Sequence, residues 1–273
     1  MKVKLSEILY KTIPSTSLGL FRIIAGFTLA GFFFTRFSNK DYIDATFVKA
    51  QILFHYPGMD WWQMGPPWLI YTLCYSLGFA AILLGLGLFY RIASIYLLAA
   101  YSYLFFLDYT FGNNHFYLFI LLFFFFSITN CHHSFSIDKK WRKLKTGVRS
   151  WNLNLFRFQF MIVYFMGGIA KLNADWLSGN TAKAMAHARF EAISDESAEM
   201  LGYFFAYGGM IFDLIVPFML LFRKGRWIAL PLILFFNITN LFMHQIDIFP
   251  ILMVSSFILF VPPIKLEKFL SKR

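Results

Sequence analysis

Eight apolar runs, each near the length of one membrane crossing, decide what this chain can become. They lie at 16–35, 67–89, 92–109, 114–130, 153–171, 200–222, 227–243 and 247–263. Within hydrocarbon every backbone N–H and C=O must be satisfied inside the protein, and a helix of about 20 apolar residues does this in one segment. The apolar residues form continuous runs and not stripes of period 2 or 3.6, unlike the half-buried elements of a soluble domain. Only 14% of the 273 residues are charged, against about 25% in an ordinary soluble domain. The expected fold is an all-α integral membrane protein: a bundle of about eight transmembrane helices, forming a single domain over residues 1–273.

The formal net charge of +11 invites a nucleic-acid reading, but its distribution argues against one. If alternate loops are assigned to two sides, one side collects Lys2, Lys4, Lys11, Arg91, the cluster from Lys139 to Arg149, then Arg223, Lys224, Arg226, Lys265, Lys268, Lys272 and Arg273. Acids outnumber bases on the other side. Basic loops stay cytoplasmic, so both termini are expected inside, and the loops at 36–66, 110–113, 172–199 and 244–246 outside. The basic excess then reflects topology and attraction to anionic lipid. The expected location is the cell (inner) membrane, multi-pass, with the bilayer as partner and no nucleic acid.

Cys74 and Cys131 fall in or at the ends of different runs and form no C-x-x-C pair, so neither a disulfide nor a thiol-driven redox centre is expected. The adjacent His132 and His133 have no third ligand at useful spacing, and no metal is expected. Trp61, Trp62 and Trp68 fit an interfacial aromatic belt.

Polar residues inside or at the ends of apolar runs carry the functional signal. With the topology above, Asp108, Asn113, Asn114 and His115 fall at the outer face. Lys171, Asp175 and Trp176 close the fifth run on the same face, and Asn237, Asn240 and His244 lie in the outer third of the seventh. A charge rule that knows nothing of these residues places them at one depth, which makes them candidates for one site. Lys171 there is a candidate general base; it could equally snorkel to the interface or form an i,i+4 ion pair with Asp175. His115, at a helix start, is a candidate oxyanion receptor with Asn114, or simply part of a helix cap with Asn113. Arg22 and Asp213 are deep enough to need partners on other helices, a structural reading.

These segments resemble the membrane part of vitamin K-dependent γ-glutamyl carboxylase and its bacterial relatives, the horizontally transferred transmembrane (HTTM) family. The resemblance runs through Ser17-Leu-Gly-Leu-Phe-Arg22, Gly87-Leu-Phe-Tyr-Arg-Ile92, Leu107-Asp108 with Asn113-Asn114-His115, and Ile162 to Phe165 through Lys171-Leu-Asn-Ala-Asp-Trp176. It continues less closely through Asn240-Leu-Phe and Ile246 to Phe249. It implies a reduced isoprenoid quinone of the vitamin K or menaquinol type as co-substrate, with O2 and CO2. Lys171 would deprotonate the quinol, with His115 and Asn114 assisting as catalytic residues. Asn113, Asp108, Asp175, Trp176, Asn240 and His244 would serve substrate binding. Oxygenation to the epoxide would then drive removal of a glutamate γ-proton and carboxylation.

Two departures stand out. Relatives often carry histidine where Asn237 stands, and the carboxylase's extracytoplasmic β-rich part is not expected within residues 1–273. A secreted peptide and a separate extracytoplasmic subunit are the candidate protein partners. The alternatives are maturation or export of a small secreted peptide by other chemistry, and a non-catalytic quinone-binding, lipid-binding or transport protein.

Overall fold

Helix covers most of each apolar run in the computed structural model, which describes residues 9–50, 52–190, 192–244 and 248–271; the side chains of residues 111, 243 and 244 are also outside that description. In chain order the elements are β1 (Thr12–Pro14), α1 (Thr16–Phe37), α2 (Pro67–Leu86), α3 (Tyr90–Phe105) and α4 (Asn114–Ile128). There follow α5 (Ile137–Arg142), β2 (Gly147–Arg149), α6 (Trp151–Ala170), α7 (Asn180–Arg189), α8 (Asp195–Leu221) and α9 (Arg223–His244). The last are α10 (Phe249–Ser255), α11 (Phe257–Phe260) and α12 (Pro263–Leu270), with single helical turns between several of the others.

Among the described residues, five helices are long and apolar enough to cross a membrane: α1, α2, α6, α8 and most of α9. A sixth is obtained if α10 and α11 with α12, bent by 92°, count as one broken span. The sequence leads one to expect eight. The difference lies in α3 and α4, which have 16 and 15 residues. At 1.5 Å per residue they cover only about 24 and 22 Å of a hydrocarbon layer about 30 Å thick. The last run breaks before Pro262 and Pro263, whose missing N–H groups interrupt the helical ladder.

The chain divides into two compact units, one of residues 1–156 and 261–273, the other of 157–260, the boundary falling inside α6. In the first unit, α1 and α2 approach closely at Gly26, where an added Cβ would lie 2.5 Å from the Gly85 Cα. Small residues allow such close backbone approach where hydrophobic force cannot drive helices together. α2 ends in a Schellman motif: Gly87 takes φ 64°, its N–H reaches the Leu84 carbonyl, and Leu88 reaches Leu83. The following helix start is capped from a distance by Asp138, whose two carboxylate oxygens accept the N–H groups of Phe89 and Tyr90 at 3.0 and 2.9 Å. An anion there offsets the exposed N–H groups and the positive end of the helix dipole.

Arg22 is fully buried in α1 and knits this end together. Its guanidinium donates to the carbonyls of Leu84 (2.9 Å), Gly85 (2.8 Å), Phe135 (2.6 Å) and Ser134 (3.4 Å). The structural reading of Arg22 therefore holds. Tyr90 donates its hydroxyl to the Phe126 carbonyl at 2.6 Å and stacks on His132 at 4.4 Å. Burial, with His133 and Arg91 adding to it, pushes the His132 imidazole down to about 4, so this histidine is a neutral packing residue at neutral pH. Beneath them Phe21, Phe126 and Phe156 form a ring cluster with centroids 5.2 to 5.9 Å apart. Cys74 and Cys131 are buried free thiols. A two-stranded antiparallel ribbon pairs Thr12 with Arg149 and Pro14 with Gly147; three-residue strands holding Pro and Gly carry no period-2 signal that a sequence reading could use.

In the second unit Gly168 of α6 sits against α8. A Cβ on it would come within 2.8 Å of the Leu214 side chain and 2.9 Å of the Leu214 backbone nitrogen. The glycine thus sets the approach of α6 and α8 one residue away from Asp213.

Candidate functional site

α6 ends at Ala170 in a tightened turn, the N–H groups of Lys171 and Leu172 reaching the Gly168 and Ile169 carbonyls. Asn173 then organises the exit. Its side-chain amide donates to the Ala170 carbonyl at 2.7 Å, and its Oδ1 accepts the Trp176 N–H at 2.9 Å. This pair of bonds caps the end of α6 and folds the next turn back, so that the Trp176 ring lies 5.5 Å from Lys171 Nζ. The indole is fixed on its other side by an Nε1–H bond to the Ala206 carbonyl of α8, 3.0 Å long. Asn173 has no role in a reading by charge, yet it positions both the lysine and the tryptophan. Its signal is the helix-capping preference of Asn just after an apolar run.

Lys171 Nζ meets Asp213 Oδ2 at 2.5 Å and is 3.5 Å from the Gly167 carbonyl. The partner is therefore Asp213, 42 residues along the chain, and not the i,i+4 neighbour Asp175, which is exposed. An exposed carboxylate keeps its hydration without a partner, whereas Asp213, 3% exposed inside α8, has no water to fall back on. Burying a carboxylate costs several kcal/mol unless it is paired, so the amine goes to the deeper acid. Asp213 Oδ1 is also buried and has no hydrogen-bond partner among the described residues. Four residues further along α8, Pro217 has no N–H to offer the Asp213 backbone carbonyl. Gly167 leaves the space beside the pair open: a Cβ there would lie 3.3 Å from Asp213 Oδ2.

Aromatic faces and one further polar pair complete the surroundings. Phe236 of α9 lies 6.0 Å from Lys171 Nζ and stacks on Phe212 at 4.3 Å. Tyr164 of α6 meets Phe212 edge-on at 5.8 Å. Asn237, 1% exposed, donates its amide to the Tyr164 hydroxyl at 3.0 Å and to the Ile233 carbonyl at 2.8 Å. The Asn237 amide thus has a defined bonding role. Asn240 is half-buried on the same helix, and the side chain of His244 lies outside the described residues.

Other sequence-derived candidates belong to the first unit. Asn113 is the N-cap of α4 and accepts the His115 N–H at 2.8 Å. Asn114 is exposed and His115 half-buried. Asp108 is 7% exposed and accepts both the N–H and the hydroxyl of Thr110 at 2.8 Å, closing the turn before α4. Close by, Phe116 faces an aromatic cavity of about 20 Å³ shared with Phe32, Arg36, Phe37 and Tyr101, room for about one water.

The second unit thus brings together an amine, a buried carboxylate and a set of ring faces, with Lys171, Trp176 and Asp213 at their centre. What this arrangement offers is a proton acceptor next to surfaces that suit a flat apolar ring. No solved structure matches the chain. A family model for the HTTM domain matches residues 10–264. The chain carries that domain over nearly its whole length and belongs to the HTTM family.

Proposed function

We propose that this membrane protein acts on a reduced isoprenoid quinone, with Lys171 as the base that takes a proton from the quinol hydroxyl. The observation that carries the reading is the Lys171–Asp213 pair, set under the Trp176 ring and beside Phe236. The family supports it, being the one associated with vitamin K-dependent carboxylase. The residues fit such a ligand. Two ring faces suit a flat aromatic head, the pair supplies a proton acceptor, and a quinol dissolved in the bilayer reaches a lysine at the end of a span directly.

When bound, the reduced quinone supplies the driving chemistry: quinol and O2 become epoxide and water, while CO2 takes the place of a glutamate γ-proton. The chain's own residues hold and prepare it. Trp176, anchored through its indole N–H to Ala206, and Phe236 orient the ring. Lys171 receives the hydroxyl proton and then stays as an ammonium beside the oxyanion, which such a charge stabilises most where water is excluded. The distribution of basic loops supports an extracytoplasmic position for this site.

The test is to give the purified protein reduced menaquinone, O2, labelled CO2 and a glutamate-rich peptide. Quinol-dependent label in the peptide supports carboxylation. Epoxide without label narrows the activity to quinol oxygenation. No quinol consumption above a protein-free control rejects the reading.

A further inference from the structure

We infer that Asp213 is the proton-holding partner of Lys171, taking over the lysine's proton at the moment the amine accepts one from a bound hydroxyl. The inference rests on the reading of Lys171 as a base. An ammonium has no lone pair, so a lysine held in an ion pair accepts a proton only if it passes one on. The group in position to receive it is Asp213 Oδ2, 2.5 Å from Nζ. Asp213 acts through Lys171 and is a positioning residue; it need not touch the substrate.

The bookkeeping of charge favours this route. Before transfer the site holds an ammonium, a carboxylate and a neutral hydroxyl. The hydroxyl proton moves to Nζ as one proton leaves Nζ for Oδ2. Afterwards the site holds an ammonium, a carboxylic acid and a substrate oxyanion. One positive and one negative charge are buried at both stages, and the ammonium has exchanged one anion for another. Creating a new uncompensated charge in such a place would cost several kcal/mol; this exchange creates none.

Three features of the structure suit Asp213 to the role. Its Oδ1 is buried and has no donor among the described residues, so the carboxylate has an open position for a proton. It is more deeply buried than its partner, with side-chain exposures of 5% and 20% for Asp213 and Lys171, so the amine is the one of the two that faces outward to a ligand. Gly167 keeps a Cβ away from the pair, leaving Nζ room to turn from one anion to the other. A carboxylate needed only to neutralise a cation would gain from a full set of hydrogen bonds; this one lacks them.

The experiment uses purified full-length protein in lipid nanodiscs without O2, with menadiol as probe. Menadiol binding is measured by equilibrium dialysis, and the carboxylic-acid carbonyl region by infrared difference spectroscopy on menadiol addition. Binding is expected to raise a deuterium-sensitive carboxylic-acid band that is absent from Asp213→Asn and moves in Asp213→Glu. With O2 restored, Asp213→Asn is expected to lower kcat by about tenfold or more with KM within about twofold, and Asp213→Glu to recover most of the loss. If menadiol binds and no such band rises, or if the band persists in Asp213→Asn, the inference is overturned while the quinol reading stands. If menadiol does not bind, the quinol reading falls and this inference with it. Should Asp213→Asn fail to fold, the wild-type band and its displacement in Asp213→Glu decide alone.

Discussion

Lys171→Arg is expected to fold and to lose quinol turnover by about a hundred- to ten-thousandfold, the usual contribution of a positioned general base. Arginine keeps the charge and the ion pair with Asp213 but cannot be deprotonated in a protein. The substitution therefore separates the two jobs that the lysine combines. Lys171→Met is expected to lose both. It removes the base and leaves Asp213 buried without its cation, a change worth about 3–5 kcal/mol when one partner of a buried pair is lost. Lys171→Met with Asp213→Asn should regain much of that stability and none of the turnover. The measurements are thermal unfolding in detergent and epoxide formation from reduced menaquinone. An active Lys171→Arg protein would show that Lys171 is an anchor and not a base.

The second large effect is structural. Arg22→Met is expected to prevent accumulation of folded protein in the membrane. The arginine donates to four carbonyls, and two of these, Leu84 and Gly85, belong to the last turn of α2, where Leu84 also accepts the Gly87 N–H of the Schellman cap. A buried polar group left without its partner costs about 1–3 kcal/mol. The three carbonyls other than Leu84 together account for about 3–9 kcal/mol, a large part of the stability of an ordinary domain, about 5–15 kcal/mol. Lysine has three donors on a point charge and should rescue only in part. Gly87 belongs to the same assembly, because a Cβ there would lie 2.4 Å from the Arg22 guanidinium. The readouts are yield of protein and monodispersity after solubilisation. Normal yield and melting temperature for Arg22→Met would mean that these bonds contribute little.

How much of this was legible beforehand depends on the distance over which each signal acts. A membrane span is written in consecutive residues, so α1, α2, α6, α8 and α9 follow from apolar runs alone. The shortness of α3 and α4 is set where the helices actually stop, at Phe105 and Ile128. That depends on turns such as the one Asp108 closes with Thr110, and hydropathy does not register it. The chemistry of the Lys171 segment was visible because an ionisable residue at the end of an apolar run is costly and rare. Its partner was less visible. Asp175 offers a helical neighbour four residues away, while Asp213 is reached only after a turn, α7 and half of α8 have folded. The available clue was depth: Asp108 and Asp247 fall at the ends of their apolar runs, whereas Asp213 falls in the middle of 200–222, and such an acid seeks a cation. Asn173 carried the local signal of a capping residue just after an apolar run, whereas the Trp176–Ala206 bond depends on tertiary placement and had no separate signature.

The central claim is that the amine beside Asp213 opens a quinol to attack by O2. The most direct test is to incubate the purified protein with reduced menaquinone and isotopically heavy O2, and to weigh the quinone products by mass spectrometry. The account predicts menaquinone epoxide carrying one heavy oxygen atom, formed by wild-type protein and not by Lys171→Arg. Unlabelled quinone at the protein-free rate, or labelled epoxide formed equally well by Lys171→Arg, would contradict it.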